Sequence, residues 1–317
     1  MPRPCTRTKA GPSAPLERTA SHASRLLVLL LALLVGSLAA APAAQAATLR
    51  TKVFDFNACD QYGRNPECDA TAAQRADAIA TSVLNGAGQA VTLQEVCRYT
   101  FDRLLQRLGS TWHGAFFQTV GIGDDRCAPG ARSWGIAFLA RAPVPTNVTA
   151  TLLPNPLGES ERRYLLCGDV VIGTVVRVCT SHFSVKATAS DDQAGAVCSR
   201  LASHAAAGGA AVLGVDTNVD VRNCTAAAAL KPLYSGGFGG TSDTACQTGT
   251  GAMVEADQSR PGGDGTYNAP TCGTGVTSKC DDLFFTARRW STDYRGVVSS
   301  SWLSDHEILR GEGTLSW

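Results

Sequence analysis

Apolar residues along this chain fall into two kinds of pattern. Runs of continuous or alternating β-branched and aromatic residues predict strands. Apolar residues spaced three and four apart predict helices, the first of them capped by Asp69 or Thr71. The predicted strands are 50–57, 89–96, 133–141, 147–153, 210–216, 282–287, one near 295–300 and a pair within 164–184, and the predicted helices are 71–84, 100–108 and about 190–207.

Residues 232–278 lack this periodicity and are rich in Gly, Ser and Thr. Such composition indicates long loops, which we expect Cys246 and Cys272 to hold in place. Strands mixed with helices in this way predict an α/β domain in which sheets are covered by helices.

The first 46 residues differ from the rest. Five cationic residues and one acid precede the apolar run at 26–40, and Ala44-Gln45-Ala46 offers small residues at a cleavage site. This pattern predicts a secretory signal peptide at 1–46, a secreted protein, and one catalytic domain at 47–317. The alternative is an uncleaved membrane anchor, but the run falls short of the roughly 20 residues that span a bilayer.

Charge restricts how the predicted domain could bind a polyanion. The chain has 28 Lys and Arg and 27 Asp and Glu, and removing the five cations and one acid of 1–46 leaves a net charge of −3. A protein that holds nucleic acid by bulk electrostatics carries the opposite balance. The composition still allows a local basic patch on a catalyst that releases its product.

Eleven of the 12 cysteines follow residue 46, and none of them forms a Cys-x-x-Cys pair. Zinc-site spacing is therefore absent, and in an exported chain disulfides are expected. Cys59–Cys68 and Cys167–Cys179 are plausible local bridges, while the odd number leaves at least one cysteine outside intrachain pairs.

Acidic, amide and histidine residues gather where the predicted strands end, as catalytic groups often do. In chain order the segments are Asn57, Leu93-Gln94-Glu95-Val96, Ser181-His182-Phe183, Gly214-Val215-Asp216-Thr217-Asn218, Asp281-Asp282-Leu283-Phe284 and Ser304-Asp305-His306. This ordered set resembles the endonuclease/exonuclease/phosphatase superfamily, in its deoxyribonuclease- and sphingomyelinase-like forms, over about residues 50–312. The resemblance implies two packed β-sheets flanked by helices, a four-layer α/β/β/α sandwich.

The resemblance also implies hydrolysis of a phosphate ester by water with a divalent cation, Mg²⁺ in the first place and Mn²⁺ or Ca²⁺ as alternatives. Carboxylate and amide oxygens suit such hard cations. Glu95 is the implied first ligand, with Asn57 and Asp305 as further metal-site residues.

Catalytic roles follow from the same resemblance. Asp281 would orient His306, and either His306 or Asp216 would take the proton of the attacking water. Asn218 and His182 would contact the phosphate or assist the leaving group, and Arg163 would add a phosphate contact.

Two points stay open at this stage. Asp281-Asp282 offers two aspartates where the superfamily pattern has one, and Asp305 alone could instead cap a helix starting at His306. Taken singly, an Asp or Asn at a strand end is usually a turn residue. The functional interpretation depends on all six segments occurring together and in order.

These observations predict a secreted metal-dependent phosphodiesterase, a nuclease acting on DNA or RNA, with no stable membrane association and no inferable protein partner. The alternatives are a sphingomyelinase- or phospholipase C-like phosphoesterase of the same fold and a non-catalytic secreted binding module. Few aromatic residues in 232–278 weigh against a membrane substrate.

Overall fold

The computed structural model describes residues 47–61, 68–121, 126–128, 133–240, 244–256, 258, 279–298 and 303–317. Thr48–Trp317 forms one compact unit. The predicted signal peptide and most of the loop sequence at 257–278 lie outside the described residues. Among the described residues, no helix has both the length and the apolar character to cross a membrane.

The strands and helices alternate as the apolar pattern indicates. The strands are β1 (Thr48–Asn57), β2 (Ala90–Cys97), β3 (His113–Gln118), β4 (Trp134–Ala140), β5 (Thr146–Leu152), β6 (Tyr164–Ile172), β7 (Thr174–His182), β8 (Ala210–Asp216), β9 (Gly237–Phe238), β10 (Gln247–Thr248), β11 (Met253–Glu255), β12 (Asp281–Thr286), β13 (Trp290–Val298) and β14 (Ile308–Ser316). The helices are α1 (Ala72–Asn85), α2 (Arg98–Leu108), α3 (Ala187–Ala206) and the short α4 (Cys224–Ala227).

Twelve of these strands form two mixed six-stranded sheets. The first sheet has the order β13-β14-β1-β2-β4-β3, and the second has the order β11-β12-β8-β7-β6-β5. The pairs β1–β2 and β7–β8 are parallel, whereas β12 runs antiparallel to β8 and β14 antiparallel to β1.

The two sheets pack face to face, and helices cover their outer faces. Val53, Phe138 and Leu309 of the first sheet share one apolar core with Val178 and Phe285 of the second. Helices α1 and α2 bury their apolar sides on the first sheet, and α3 buries its own on the second. The predicted four-layer α/β/β/α sandwich is therefore confirmed, and apolar burial between layers is its main stabilising contribution.

Most predicted elements are confirmed to within a few residues. Thr71 is the N-cap of α1 and forms a capping box with Gln74, whereas Asp69 does not cap the helix. The strand predicted near 295–300 begins earlier, as β13, and β3, β14 and the short strands β9, β10 and β11 within the predicted loops at 232–278 were not predicted. Gly311 and Gly313 weaken the strand signal of β14, but hydrogen bonds to β1 on one side and β13 on the other stabilise it.

Four disulfides link described cysteines. Cys59–Cys68 and Cys167–Cys179 are confirmed, and Cys97–Cys127 and Cys224–Cys246 join more distant segments. Cys246 thus does tie down the Gly-rich loops, through Cys224, while Cys272 lies outside the described residues. Cys198 is buried in the core between α3 and the second sheet.

A glycine permits the close contact of the sheets beneath their shared edge. A Cβ atom on Gly214 of β8 would lie 1.9 Å from Thr92 Oγ1 and 2.4 Å from Asp55 Oδ1, both in the first sheet. These hydroxyl and carboxyl groups are themselves hydrogen-bonded, at 2.6 Å, so neither can move away easily. The absence of a side chain at position 214 therefore sets the local separation of the sheets.

We expect Gly214→Ala to lower the free energy of unfolding by about 1–3 kcal/mol, because the added methyl overpacks the contact between sheets. Gly195→Ala is the matched control, since no atom lies within 4 Å of its Cβ position on α3. On helix propensity it should be neutral or stabilising by up to about 1 kcal/mol. Urea denaturation measures both, and equal effects of the two substitutions would contradict this account of the interface.

Candidate active site

Strand register brings the predicted polar residues to one edge of the sandwich. His182 ends β7 and pairs with Asp216 at the end of the parallel strand β8. Asp281 begins β12 and pairs with Asp216 from the other side, because β12 is antiparallel to β8. Asn57 ends β1 in the facing sheet, and His306 lies just before β14. All five side chains are buried or nearly so.

The carboxylate of Asp216 is the centre of this cluster. Its Oδ2 accepts a hydrogen bond from Asn57 Nδ2 across the sheet interface, at 2.8 Å. The same Oδ2 lies 3.4 Å from His182 Nε2 and 3.8 Å from His306 Nε2. Two imidazole rings, one from each sheet, therefore flank a single carboxylate oxygen.

His306 is oriented by Asp281. Its Nδ1 lies 2.8 Å from Asp281 Oδ2, and its backbone N–H donates to Ser304 Oγ at 3.0 Å. The neighbouring Asp282 faces the opposite side of β12, where its Oδ1 lies 3.9 Å from Lys279 Nζ. Strand alternation thus separates the two aspartates that the sequence left ambiguous, and only Asp281 contacts the histidine.

Glu95 reaches the cluster through an irregularity in β2. The pairing of β2 with β4 shifts register between Leu93 and Val96, and Glu95 has a φ of 50°, in the left-handed region. A bulge of this kind redirects side chains and is common beside functional sites. Glu95 Oε2 accepts a hydrogen bond from Gln61 Nε2 at 3.0 Å, and its Oε1 lies 3.8 Å from His182 Nε2.

The bulge also leaves Gln94 pointing between the sheets. Its Nε2 donates to Asp55 Oδ1 at 2.9 Å and to Thr180 Oγ1 at 3.0 Å. Burial and the nearby Asp281 carboxylate raise the pKa of Asp55 well above its ordinary value. This polar layer under the cluster was not predicted, since Asp55 lies within a predicted strand and Gln94, although part of the segment Leu93–Val96, was given no role.

Crowding of buried carboxyl groups raises their pKa values. Burial, followed by the nearby Glu161 carboxylate, raises the pKa of Glu95 to about 7. Burial and Asp281 raise the pKa of Asp216 to about 6, although His306 partly offsets them. Burial alone would lower the pKa of His306, but the carboxylates of Asp281 and Asp216 raise it to about 10. Like charge therefore crowds the carboxyl groups of the cluster, and protonated His306 offsets it only in part.

A divalent cation fits this donor set. The negative charge of Asp305 contributes to the raised pKa of Glu95. The carboxylate oxygens of both residues are ligands that hard cations prefer. Asp305 is half-buried, and its Oδ1 accepts from Ser304 Oγ at 3.3 Å. Asn57 Oδ1 accepts the backbone N–H of Cys59 at 3.0 Å and retains a second lone pair. The chain between Asp305 and β14 is extended, so Asp305 caps no helix here.

Asn218 is held in a fixed orientation beside His182. Its φ of 52° lies in the left-handed region, which asparagine tolerates. Its backbone N–H donates to Asp216 Oδ1, and its Nδ2 donates to the carbonyl of Phe183, both at 2.9 Å. One N–H of the amide remains for an incoming ligand.

Arg163 lies in a buried ion network rather than in open solution. Its Nε contacts Glu159 Oε2 at 3.3 Å, and its Nη1 lies 3.6 Å from Glu161 Oε2. Glu161 also accepts from Thr119 Oγ1 at 3.0 Å and pairs with Arg126 at 2.9 Å.

Glu161 further faces the Nδ1 atom of His182, at 3.8 Å. Burial and then the cation of Arg163 lower the pKa of His182 well below its ordinary value, so the ring is neutral. Glu161 and Arg126 were missed from sequence because both lie in loops without a motif. His113 and His204 contact backbone carbonyls outside the cluster.

Comparison with solved structures addresses the fold. An endonuclease/exonuclease/phosphatase from Beutenbergia cavernae superposes with a TM-score of 0.61 at 18% identity, covering 84% of this chain and 72% of that one. A family protein from Bacteroides thetaiotaomicron gives 0.64 at 14% identity, with 86% and 97% covered. The chain has the endonuclease/exonuclease/phosphatase fold.

A third similar structure of this fold is D. rerio TDP2 complexed with a single-strand DNA product. It has a TM-score of 0.58 at 15% identity, and 83% of this chain and 98% of that one are covered. No protein-family model and no curated protein matches the chain. At sequence identities this low, the similarity supports the arrangement of the layers only. The roles of individual residues are inferred from the geometry of the site.

We expect the cation-free protein to lose stability as pH rises. The folded-state pKa values of Asp216 and Glu95, about 6 and about 7, exceed the ordinary values of about 4. Their contribution is therefore complete below about pH 4 and is lost as pH rises through about 6 and then about 7. Urea denaturation in EDTA should show this decline, and Asp216→Asn and Glu95→Gln should each remove part of it.

Asp169→Asn is the control with the opposite sign. Burial tends to raise the pKa of Asp169, but hydrogen bonds from Arg177 and Asn147 lower it overall. Its stabilisation is therefore present above the ordinary pKa and is lost as pH falls. A wild-type decline left unchanged in both Asp216→Asn and Glu95→Gln would refute the proposed charge crowding.

Proposed function

We propose that this chain is a secreted, divalent-metal-dependent phosphodiesterase that hydrolyses the phosphodiester bonds of DNA or RNA. The observation that carries the proposal is the cluster around Asp216, in which an amide, two imidazoles and further carboxylates meet at one edge of the sandwich. A fold hosts many functions, so the site rather than the layers supports the reaction.

Glu95 and Asp305, with Asn57 beside them, would hold the cation. When bound, the cation neutralises charge on the phosphoryl and leaving oxygens. Mg²⁺ suits these oxygen donors, and Mn²⁺ and Ca²⁺ are compatible with them. Gln61 contributes by fixing Glu95 Oε2 through a 3.0 Å hydrogen bond.

Asp216 and His306 would manage the proton of the attacking water. Asn57 orients the Asp216 carboxylate, and Asp281 fixes the ring of His306 so that Nε2 faces Asp216. A pKa of about 10 keeps His306 protonated at neutral pH, so Asp216 Oδ2, 3.8 Å from His306 Nε2, is the atom that can take the proton. This is the arrangement expected of a positioned general base.

The phosphate would lie against Asn218, His182 and Arg163. The Asn218 amide can donate to a phosphate oxygen while keeping its bond to Phe183. His182 is neutral and lies beside both Asp216 and Glu95, where it can hydrogen-bond a phosphoryl or leaving oxygen. Arg163 is buried and paired with Glu159 and Glu161, so a direct phosphate contact would require it to exchange one of these carboxylates for the phosphate.

Two further observations support the substrate and the compartment. One structure of the same fold is a TDP2 in complex with a single-strand DNA product, which favours a nucleic acid over a lipid. Four disulfides among the described cysteines favour an oxidising environment and hence export.

A substrate panel tests this proposal directly. Purified protein should cleave plasmid DNA or RNA in the presence of Mg²⁺, lose the activity in EDTA and regain it when Mg²⁺ is restored. Sphingomyelin vesicles serve as the competing phosphodiester. Breakdown of the vesicles with intact nucleic acid would replace the nuclease by a lipid phosphodiesterase, and no turnover of any substrate would leave a binding module.

Glu95→Ala and His306→Ala should each lower kcat/KM for nucleic acid by about 100- to 10,000-fold, the range expected for loss of a positioned acid, base or ligand. His204→Ala is the control, because His204 lies outside the cluster, where its Nε2 contacts the carbonyl oxygen of Ala210 at 3.1 Å. Circular dichroism and thermal melting verify folding. Near wild-type turnover in either of the first two variants would be incompatible with the assigned site.

A further inference from the structure

Two aliphatic side chains next to the proposed phosphate site are unusually exposed. Leu157 lies in the loop between β5 and β6 and is 97% exposed, and Val185 follows β7 and is 69% exposed. They are the two most exposed large apolar side chains of the described residues. We call this pair the apolar lip. Water contact of this extent is unfavourable for aliphatic groups, and apolar groups exposed close together can mark a ligand-binding surface.

The apolar lip is adjacent to the groups assigned to the phosphate. Asn218 Nδ2 is bonded to the carbonyl of Phe183, and Val185 follows only two residues later. Two extended residues span at most about 7 Å, so with the 2.9 Å hydrogen bond the backbone of Val185 lies within about 10 Å of the Asn218 amide. On the other side of the lip, Lys186 Nζ donates to the carbonyl of Leu157 at 3.3 Å.

The loop that carries Leu157 is held at several points. Gln193 Nε2 donates to the carbonyl of Pro154 at 2.7 Å, and the backbone N–H of Arg163 donates to Asn155 Oδ1 at 3.2 Å. Ser184 Oγ donates to Glu159. Because these bonds fix the loop before any ligand arrives, little conformational entropy is lost when Leu157 makes a contact.

Charge around the apolar lip suits a polyanion. Arg162, in the same loop as Leu157, and Lys186, the residue after Val185, are both exposed. The acids of the same loop are turned inward, since Glu159 pairs with Arg163 and Glu161 pairs with Arg126. Exposed Arg162 and Lys186 therefore accompany the aliphatic groups next to the site that would hold the scissile phosphate, and the nearest exposed acid along the chain is Asp192 of α3.

We propose that the apolar lip packs against the nucleobase adjacent to the scissile phosphate, while Arg162 and Lys186 lie near flanking phosphates. Leucine is among the side chains that contact base faces in nucleic-acid complexes, and cations beside it bind the backbone without reading sequence. The contact deepens the proposed nuclease function and rests on it. It assigns the lip to substrate positioning rather than to the chemical step.

The test compares Leu157→Ser/Val185→Ser with the matched pair Val144→Ser/Val171→Ser. Val144 and Val171 are 68% and 54% exposed, and they lie toward the opposite end of the second sheet, where Thr146 pairs with Asp169. Each protein is assayed on a single-stranded oligonucleotide and on one of equal length whose sugars carry no bases. Thermal melting verifies that both double variants fold.

We expect the lip variant to raise KM for the ordinary oligonucleotide about fivefold or more, from lost apolar contact area, with kcat little changed. On the base-free oligonucleotide it should match the wild type, and the distal pair should match the wild type on both. Equal KM values for the lip variant and the wild type on ordinary oligonucleotide would overturn the proposal.

A vesicle arm separates the alternative occupant. Sedimentation with vesicles of phosphatidylcholine and phosphatidylglycerol that depends on the lip, with unchanged oligonucleotide kinetics, would reassign the lip to a membrane and overturn the proposal. Failure of the wild type to cleave any nucleic acid would contradict both the proposed function and the proposed role of the lip. Nucleic-acid cleavage with the same kinetics in the lip variant and the wild type would contradict the role of the lip alone.

Discussion

One hydrogen bond between the two sheets underlies the site. Asn57 Nδ2 of the first sheet donates to Asp216 Oδ2 of the second, and a parallel contact joins His306 to Asp281. In each pair, one residue comes from the first sheet or a loop beside it, and the other comes from the second sheet. Neither sheet therefore forms the cluster alone. The packing that sets the separation of the sheets therefore also sets the geometry of the proposed chemistry.

That geometry confines like charges. Asp281 repels the buried carboxylate of Asp216, Glu161 and Asp305 repel that of Glu95, and His306 compensates only in part. The apolar core between the sheets must supply the free energy that holds them together. A site arranged in this way favours whatever brings positive charge, which is why a divalent cation and the protonated form of His306 fit it.

The surroundings of His182 connect the chemistry to the surface. Its ring faces Asp216 and Glu95 on one side and Glu161 on the other. Glu161 belongs to the same fixed loop that carries Leu157, and the segment after His182 carries Val185. A substrate that placed its phosphate at His182 would therefore meet the apolar lip next, and the exposed aliphatic groups acquire a role through this continuity.

The sequence by itself determined the local features: the strands and helices with clear periodicity, the short disulfides, and the polar residues at strand ends. Only the tertiary structure decided which aspartate orients His306, because Asp281 and Asp282 differ solely in the face of β12 that they occupy. It also showed that β14 is a strand, because β1 and β13 stabilise it although its glycines weaken the sequence signal. Finally, it showed that Glu161 belongs to the site, because its partners come from distant loops. Local patterns follow from short-range backbone and hydrophobic preferences, whereas charge pairing and burial across the sheets exist only once the layers have packed.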